Sequence, residues 1–321
     1  MRLDIGAVSD TGLKKDKNED NYGVYAEATP ERNLIDDGAL LVVADGLGGH
    51  IGGEIASKLA VSVFADVLKQ ARPVAAHEET GDQVGDTDGE KEEQDSDASL
   101  HDLLREWIGR TNDNIYQTNL DLVKGAKPMG TTLLAALLEP GKAHIVNVGD
   151  SRAYHIRDGE IVGHTEDHSW VDAQVKRGVM TRKEAETDRR RNVVTRCLGT
   201  HPQVAPDLYT WDIQAGDMVL LATDGLTEMV PEEDMLADIA AGGSAQAIAE
   251  RLVDHANANG GRDNITVIAG RIAPALGGQA AARAKTIWRS HGRILLMLIG
   301  MLLFGATCFF AGFFLRPFLR G

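Results

Sequence analysis

Asp20, Asp45, Asp150, Asp224 and Asp263 stand at the ends of apolar runs, each followed or framed by small residues. Carboxylates drawn from distant segments into one pocket would repel one another and take up protons, unless bound cations supplied the missing positive charge. The pattern therefore reads as a divalent-metal site. Asp-Gly by itself is the usual currency of turns. Here Asp45-Gly46 follows Leu41-Val42-Val43-Ala44, and Asp224-Gly225 follows Val219-Leu220-Leu221-Ala222-Thr223. Each pair puts a carboxylate at a strand end, where rigid backbone can hold a hard cation. Gly149-Asp150-Ser151-Arg152 and Arg262-Asp263-Asn264 complete the set. A nucleotide kinase or ATPase is disfavoured, because no Gly-rich loop ends in Gly-Lys-Ser or Gly-Lys-Thr. A zinc hydrolase would need histidine pairs that are missing.

The elements that must position these residues follow from periodicity. Leu40 to Ala44 predicts a strand, a tight turn at Asp45-Gly46, and then a helix from Gly52 to Gln70. Helical spacing returns from Leu100 to Leu122. Thr131 to Leu138 and Ala143 to Val148 form one predicted hairpin; Ala153 to Arg157 and Glu160 to Gly163, across Asp158-Gly159, form the next. Strands at Asp207 to Ile213, Met218 to Ala222 and Ile265 to Ile272 continue the pattern, with helices at Glu232 to Ala240 and Ala245 to Asn259. Hairpin blocks and helix pairs, without strict alternation, indicate an α+β fold of antiparallel sheets covered by helices. His168 to Leu198 is polar and Arg-rich with one short helix, and reads either as a flap near the site or as a solvated excursion.

The chain has 321 residues and a formal charge of -15, ample for a buried core. Ten acidic residues between Glu78 and Asp97, set against Lys91, carry about -9 of that charge, so the remainder is only mildly acidic. Residues 72–98 are poor in large apolar side chains and are expected to be a disordered insertion. No basic stripe with interleaved aromatics occurs, which argues against nucleic acid as a partner. The two cysteines, Cys197 and Cys308, do not form a disulfide framework.

No secretory signal is read at the N-terminus, which lacks an apolar stretch. Ile294 to Leu315 contains no charged residue; at about 1.5 Å per residue it reaches roughly 33 Å, enough for a transmembrane helix. A buried core helix is the rival reading. Arg283, Lys285, Arg289 and Arg293 precede the segment, so charge bias keeps the long N-terminal part in the cytoplasm. The expected organisation is a catalytic domain at 1–272, a basic linker at 273–293 and a single-pass span at 294–315 in the inner (cytoplasmic) membrane.

Taken in order, Ser9-Asp10-Thr11-Gly12 with Asn18-Glu19-Asp20, Val43-Ala44-Asp45-Gly46-Leu47-Gly48-Gly49-His50, Met129-Gly130-Thr131-Thr132, Val148-Gly149-Asp150-Ser151-Arg152, Thr223-Asp224-Gly225 and Gly261-Arg262-Asp263-Asn264 resemble the protein phosphatase 2C family, its bacterial branch most of all. The resemblance implies two stacked antiparallel sheets flanked by helix pairs, with two Mn2+ or Mg2+ ions in a cleft at one edge. By position it implies that Asp45 bridges both metals, that the Gly46 carbonyl binds one, and that Asp224 and Asp263 bind the other. Glu19 and Asp20 match positions acting largely through metal-bound waters, and Asp150 matches a ligand of a third, weaker metal. The implied chemistry is in-line attack of a metal-activated water on phosphoserine or phosphothreonine, with no phosphoenzyme.

The family usually has arginine four residues before the glutamate of its first motif; this chain has Lys15. Lysine keeps the charge but gives up a bidentate fork, so it is expected to hold the substrate phosphate less directionally, unless it is merely a solvated loop residue. Leu47 stands where some relatives have a histidine. His50 is the candidate general acid, with a helix-start role as the alternative. His168 reads as structural or flap-related. The expected partners are phosphoproteins and a membrane-bound serine/threonine kinase whose shared tethering raises effective concentration. The rival from another class is a catalytically weak, membrane-tethered, phosphatase-like regulator that binds phosphoproteins without turning them over.

Overall fold

A strand built from Ala39-Leu40-Leu41-Val42-Val43-Ala44 has no polar residue at either parity, so it must be covered on both faces. The computed structural model describes residues 1–26, 38–48, 52–70, 89–122 and 128–273. It shows how that cover arises. The strands are β1 (Arg2–Asp10), β2 (Asn21–Tyr25), β3 (Ala39–Ala44), β4 (Gly46–Leu47), β5 (Gly130–Thr131), β6 (Leu133–Glu139), β7 (Lys142–Val148), β8 (Arg152–Arg157), β9 (Glu160–His164), β10 (Asp207–Asp212), β11 (Met218–Ala222) and β12 (Ile265–Ala273). The helices are α1 (Gly52–Gln70), α2 (Gly89–Leu122), α3 (Trp170–Lys176), α4 (Arg182–Thr187), α5 (Asp224–Thr227), α6 (Glu232–Ala240) and α7 (Ala245–Ala258).

Two five-stranded sheets result, ordered β10-β7-β6-β3-β2 and β1-β12-β11-β8-β9, with a small β4-β5 pair beside them. The named strand pairs are antiparallel. Between the sheets lie Leu41, Val43, Leu134, Leu138 and Ile145 from one side and Val219, Leu221 and Ile268 from the other. The opposite parity of β3, Leu40, Val42 and Ala44, packs against Phe64 of α1 and Trp107, Ile108 and Ile115 of α2. Leu220, Ala222, Val267 and Ala269 pack in the same way against Leu226, Met235, Ile248 and Leu252 of α5 to α7. The α+β architecture of antiparallel sheets with helical cover is thus the observed one.

Strand pairing also determines where the carboxylates end up. Ala44, the last residue of β3, pairs with Asn21 at the start of β2. In the other sheet, Asp10 at the end of β1 faces Ile265 at the start of β12, and Ala222 at the end of β11 faces Arg152 at the start of β8. Asp20, Asp45, Asp150, Asp224 and Asp263 therefore all sit at strand ends or in the loops just beyond them.

Several expectations need correction. The acidic stretch 72–98 is helical from Gly89 onward. Residues 72–88 lie outside the described residues. β1 and β2 were not anticipated, although Leu3, Ile5 and Ala7 of β1 alternate toward the inter-sheet core. The strand expected over Thr131 to Leu138 breaks at Thr132, whose N–H turns away to donate to the Asp45 carbonyl at 2.9 Å. The His168 to Leu198 segment holds two short helices, α3 and α4, the second started by a Thr181–Glu184 capping box. Among the described residues no helix is long and apolar enough to cross a membrane; 294–315 lies outside them.

Leu221 is fully buried between the sheets. Leu221→Ala should cost about 2–5 kcal/mol in urea unfolding, as deletion of buried methyl groups does. Val162→Thr on the edge strand β9, where Val162 is half exposed, should cost less than about 0.5 kcal/mol.

Candidate metal centre

Asp45 is held by its backbone. Its N–H donates to Thr132 Oγ1 at 2.9 Å, and its carbonyl accepts from Thr131 Oγ1 at 2.8 Å as well as from the Thr132 N–H. Thr132 Oγ1 also lies 2.9 Å from Ser151 Oγ, next to Asp150. The Met129-Gly130-Thr131-Thr132 motif is therefore a clamp on the turn that carries Asp45. Gly46 must be glycine for a steric reason, since a Cβ there would lie 2.3 Å from the Gly53 carbonyl oxygen at the start of α1.

The first and last motifs are clasped together by buried Asn264. Its Oδ1 accepts the Glu19 N–H at 2.8 Å, while its Nδ2 donates to the carbonyls of Thr11 at 2.9 Å and Lys17 at 2.8 Å. Gly261 adds to the clasp by accepting from the N–H groups of Leu13 and Lys14. Asp224 opens α5, and Gly225 permits the β12 loop to close on it: a Cβ at Gly225 would stand 2.0 Å from the Asn264 carbonyl oxygen. Ser57 of α1 donates to the Glu19 carbonyl at 2.5 Å.

The carboxylates feel one another strongly. Burial first, then the charges of Asp224, Asp20, Asp150 and Asp263, push Asp45 well above the usual carboxylate range. Burial, then Asp150, Asp263, Glu228 and Asp20, do the same to Asp224. Asp20 is pushed up to about 6, mainly by burial and against two hydroxyl hydrogen bonds from Thr266 and Thr223. Asp150 rises to about 7, through burial and then the charge of Asp167. Asp20 Oδ1, Asp150 Oδ1 and Asp224 Oδ1 are buried with no hydrogen-bond partner. Orphaned anionic oxygens of this kind are costly unless something positive meets them.

The donor set is hard oxygen throughout, which suits Mg2+ or Mn2+ better than zinc. As the side chains stand, no three His, Cys, Asp or Glu among the described residues close to chelating distance. Five mutually repelling carboxylates have no cause to close further without a cation between them.

Lys15 lies at this site. Its Nζ is 2.5 Å from Asp263 Oδ1, with the side chain 40% exposed. Burial would lower its pKa, but the hydrogen bond and charge of Asp263, with the charges of Asp45 and Glu19, more than offset that and raise it. His50 lies outside the described residues. His168 is buried and structural: Nδ1 accepts the Gly149 N–H at 3.1 Å, and Nε2 faces Asp207 Oδ2 at 3.1 Å. It pins the loop of Asp150 to the segment that follows. That segment is anchored again where Leu198 exchanges backbone hydrogen bonds with Thr131. Both ends of the segment are thus fixed, and most of what lies between them is exposed.

Sequence reasoning quoted Thr132, Thr223 and Asn264 within motifs without giving any of them a role, and passed over Thr266 altogether. Position within a motif was the legible signal for the first three; Thr266, an ordinary β-former in a strand, had none.

A family model described as Protein phosphatase 2C matches residues 31–263. The serine/threonine phosphatase stp of Listeria welshimeri is 33% identical over 263 residues, spanning 81% of this chain and 92% of its own. The serine/threonine phosphatase of S. agalactiae has a similar structure, with a TM-score of 0.70 at 26% identity, covering 84% of this chain and 100% of that one. The catalytic domain of the phosphatase PstP, solved in complex with two manganese ions, gives a TM-score of 0.64 at 31% identity, covering 85% of this chain and 99% of that one.

Because Asp150 is raised in the folded protein, the native state binds more protons than the unfolded state between about pH 4 and 7, and stability contributed there falls as pH rises. In chelator, wild type should therefore lose melting temperature relative to Asp150→Asn as pH is raised from about 4 to about 7.5. Parallel profiles for the two proteins would contradict the raised value.

Proposed function

The chain belongs to the protein phosphatase 2C family, and from that membership we propose that it hydrolyses phosphoserine and phosphothreonine in proteins at a centre that binds two Mn2+ or Mg2+ ions. The observation that carries this reading is that Asp45 and Asp224, from strand ends in different sheets, are gathered with the same three carboxylates, Asp20, Asp150 and Asp263, whose charges raise both, while Asp20 Oδ1, Asp150 Oδ1 and Asp224 Oδ1 stay buried without a hydrogen-bond partner. Asp45, the Gly46 carbonyl, Asp224 and Asp263 would hold the two ions, Glu19 and Asp20 would act through waters around them, and Asp150 would serve a third. When bound, such ions supply a water acidic enough to attack phosphorus at neutral pH and offset the charge of the phosphoryl oxygens.

The protein's own contribution is position and charge. Thr131 and Thr132 fix Asp45, and the Asn264 clasp holds the Glu19 backbone against the Asp263 loop. Lys15, paired with Asp263 and 40% exposed, would receive the substrate phosphate once that carboxylate is shared with a cation. His50 remains the proposed general acid on its sequence position. The uncharged run 294–315 supports attachment to the cytoplasmic membrane, with the catalytic unit facing the cytoplasm beside phosphoproteins and a membrane-bound kinase.

Mn2+-dependent hydrolysis of p-nitrophenyl phosphate and phosphothreonine peptides is expected, abolished by chelator and by Asp224→Ala. Binding of the peptides without turnover at saturating metal would favour the regulator reading instead. Lys15→Arg should lower KM for small phosphoesters by restoring a bidentate donor, with the Mn2+ requirement unchanged; a higher KM would remove Lys15 from the phosphate site.

A further inference from the structure

Around Asp20 the hydroxyl groups form one directed chain, and from it we propose that Thr223 and Thr266 are positioning residues that aim Asp20 at the water shell of the cations. The proposal rests on the metal-centre reading above. Asp20 is 8% exposed. Its Oδ2 accepts from Thr266 Oγ1 at 2.7 Å and from Thr223 Oγ1 at 2.9 Å. Its Oδ1 is buried and has no partner.

A hydroxyl carries one proton, so the direction of every bond in the cluster is determined. Thr266 spends its proton on Asp20. Ser9 Oγ, 2.8 Å from Thr266 Oγ1, must then donate to it. Ser9 in turn accepts from Asn18 Nδ2 at 2.8 Å, and Asn18 Oδ1 accepts the backbone N–H of Asp20 itself at 3.1 Å. Thr223 Oγ1, while donating to Asp20, accepts the Thr266 N–H at 2.9 Å. The cluster closes on itself with one acceptor left over, Asp20 Oδ1.

Threonine suits this task because its branched Cβ leaves χ1 stiff, so the sheet backbone itself sets the direction of each hydroxyl. Thr266 lies in β12 and Thr223 follows β11, which pairs with it, so two neighbouring strands grip one carboxylate oxygen and leave the other pointing in a fixed direction. Groups that orient a ligand in this way typically cost about 10- to 100-fold in metal affinity when removed.

The test is calorimetric Mn2+ titration of the full chain. Thr266→Val and Thr223→Val should each weaken binding about 10-fold. Thr266→Ser, which keeps the hydroxyl, should recover most of the loss. Ser9→Ala leaves the Thr266–Asp20 bond in place and should weaken binding clearly less than Thr223→Val. In an Asp20→Ala background, Thr266→Val should add no further loss. Wild-type affinity in both valine variants, or an undiminished loss in the Asp20→Ala background, overturns the proposal while the metal centre stands. If Thr266→Val does not fold by circular dichroism, the comparison of Thr223→Val with Ser9→Ala decides, and equal effects overturn it. A wild-type protein that takes up no Mn2+ overturns the metal-centre reading, and the proposal with it.

Discussion

Asp45 and Asp224 come from strand ends in different sheets into one group with Asp20, Asp150 and Asp263, and the repulsion within that group in a partly dehydrated setting is the constraint that organises this protein. Folding must hold these charges together against their own field, because the unfolded chain leaves them apart in water. The core provides the means. β3 and β11 are buried on both faces, so the strand ends that carry the two carboxylates have little freedom to retreat. What burial cannot do, hydrogen bonding completes: Thr131 and Thr132 lock the Asp45 peptide, and Asn264 ties the Glu19 backbone to the last loop.

The parts legible in the sequence were those where one physical signal dominated. Runs such as Leu133–Leu138 and Met218–Ala222 are apolar at both parities, and only doubly covered strands tolerate that. Asp45 and Asp224 were legible because each ended such a run. β1 was harder to see, since Val8 and Ser9 reverse the alternation that Leu3, Ile5 and Ala7 begin; its partner β12 lies more than 250 residues away in sequence. The helix start at Gly89 was missed because composition alone reports how much surface can be buried, and a long helix can run on past the part of it that packs. The roles of the threonine hydroxyls were hidden for a different reason, even where Thr132 and Thr223 stood inside a quoted motif. A Thr in a strand looks the same whether its hydroxyl is idle or gripping a carboxylate.

Lys15 shows how one residue changes the meaning of a motif. An arginine there could present a planar fork to phosphate while touching its neighbours through its other nitrogens. Lysine has a single point of charge, and in this structure that point is already set against Asp263. In the proposed phosphate role, substrate and Asp263 would compete for the same ammonium, and the balance would depend on how much of the Asp263 charge is taken up elsewhere.

The clasp between the two ends of the catalytic unit bears on how the protein comes into being. Nine residues of β1 pair with β12, and Asp20 takes its hydroxyl donors from Thr223 and Thr266. During synthesis the early strands must wait for the final one, because contacts of such long sequence separation cannot form until the far partner leaves the ribosome. A nascent chain halted before β12 would carry every acidic residue of the site and yet lack the strand that pairs with β1 and the Thr266 hydroxyl that holds Asp20, so an incomplete copy would leave the carboxylates only partly gathered.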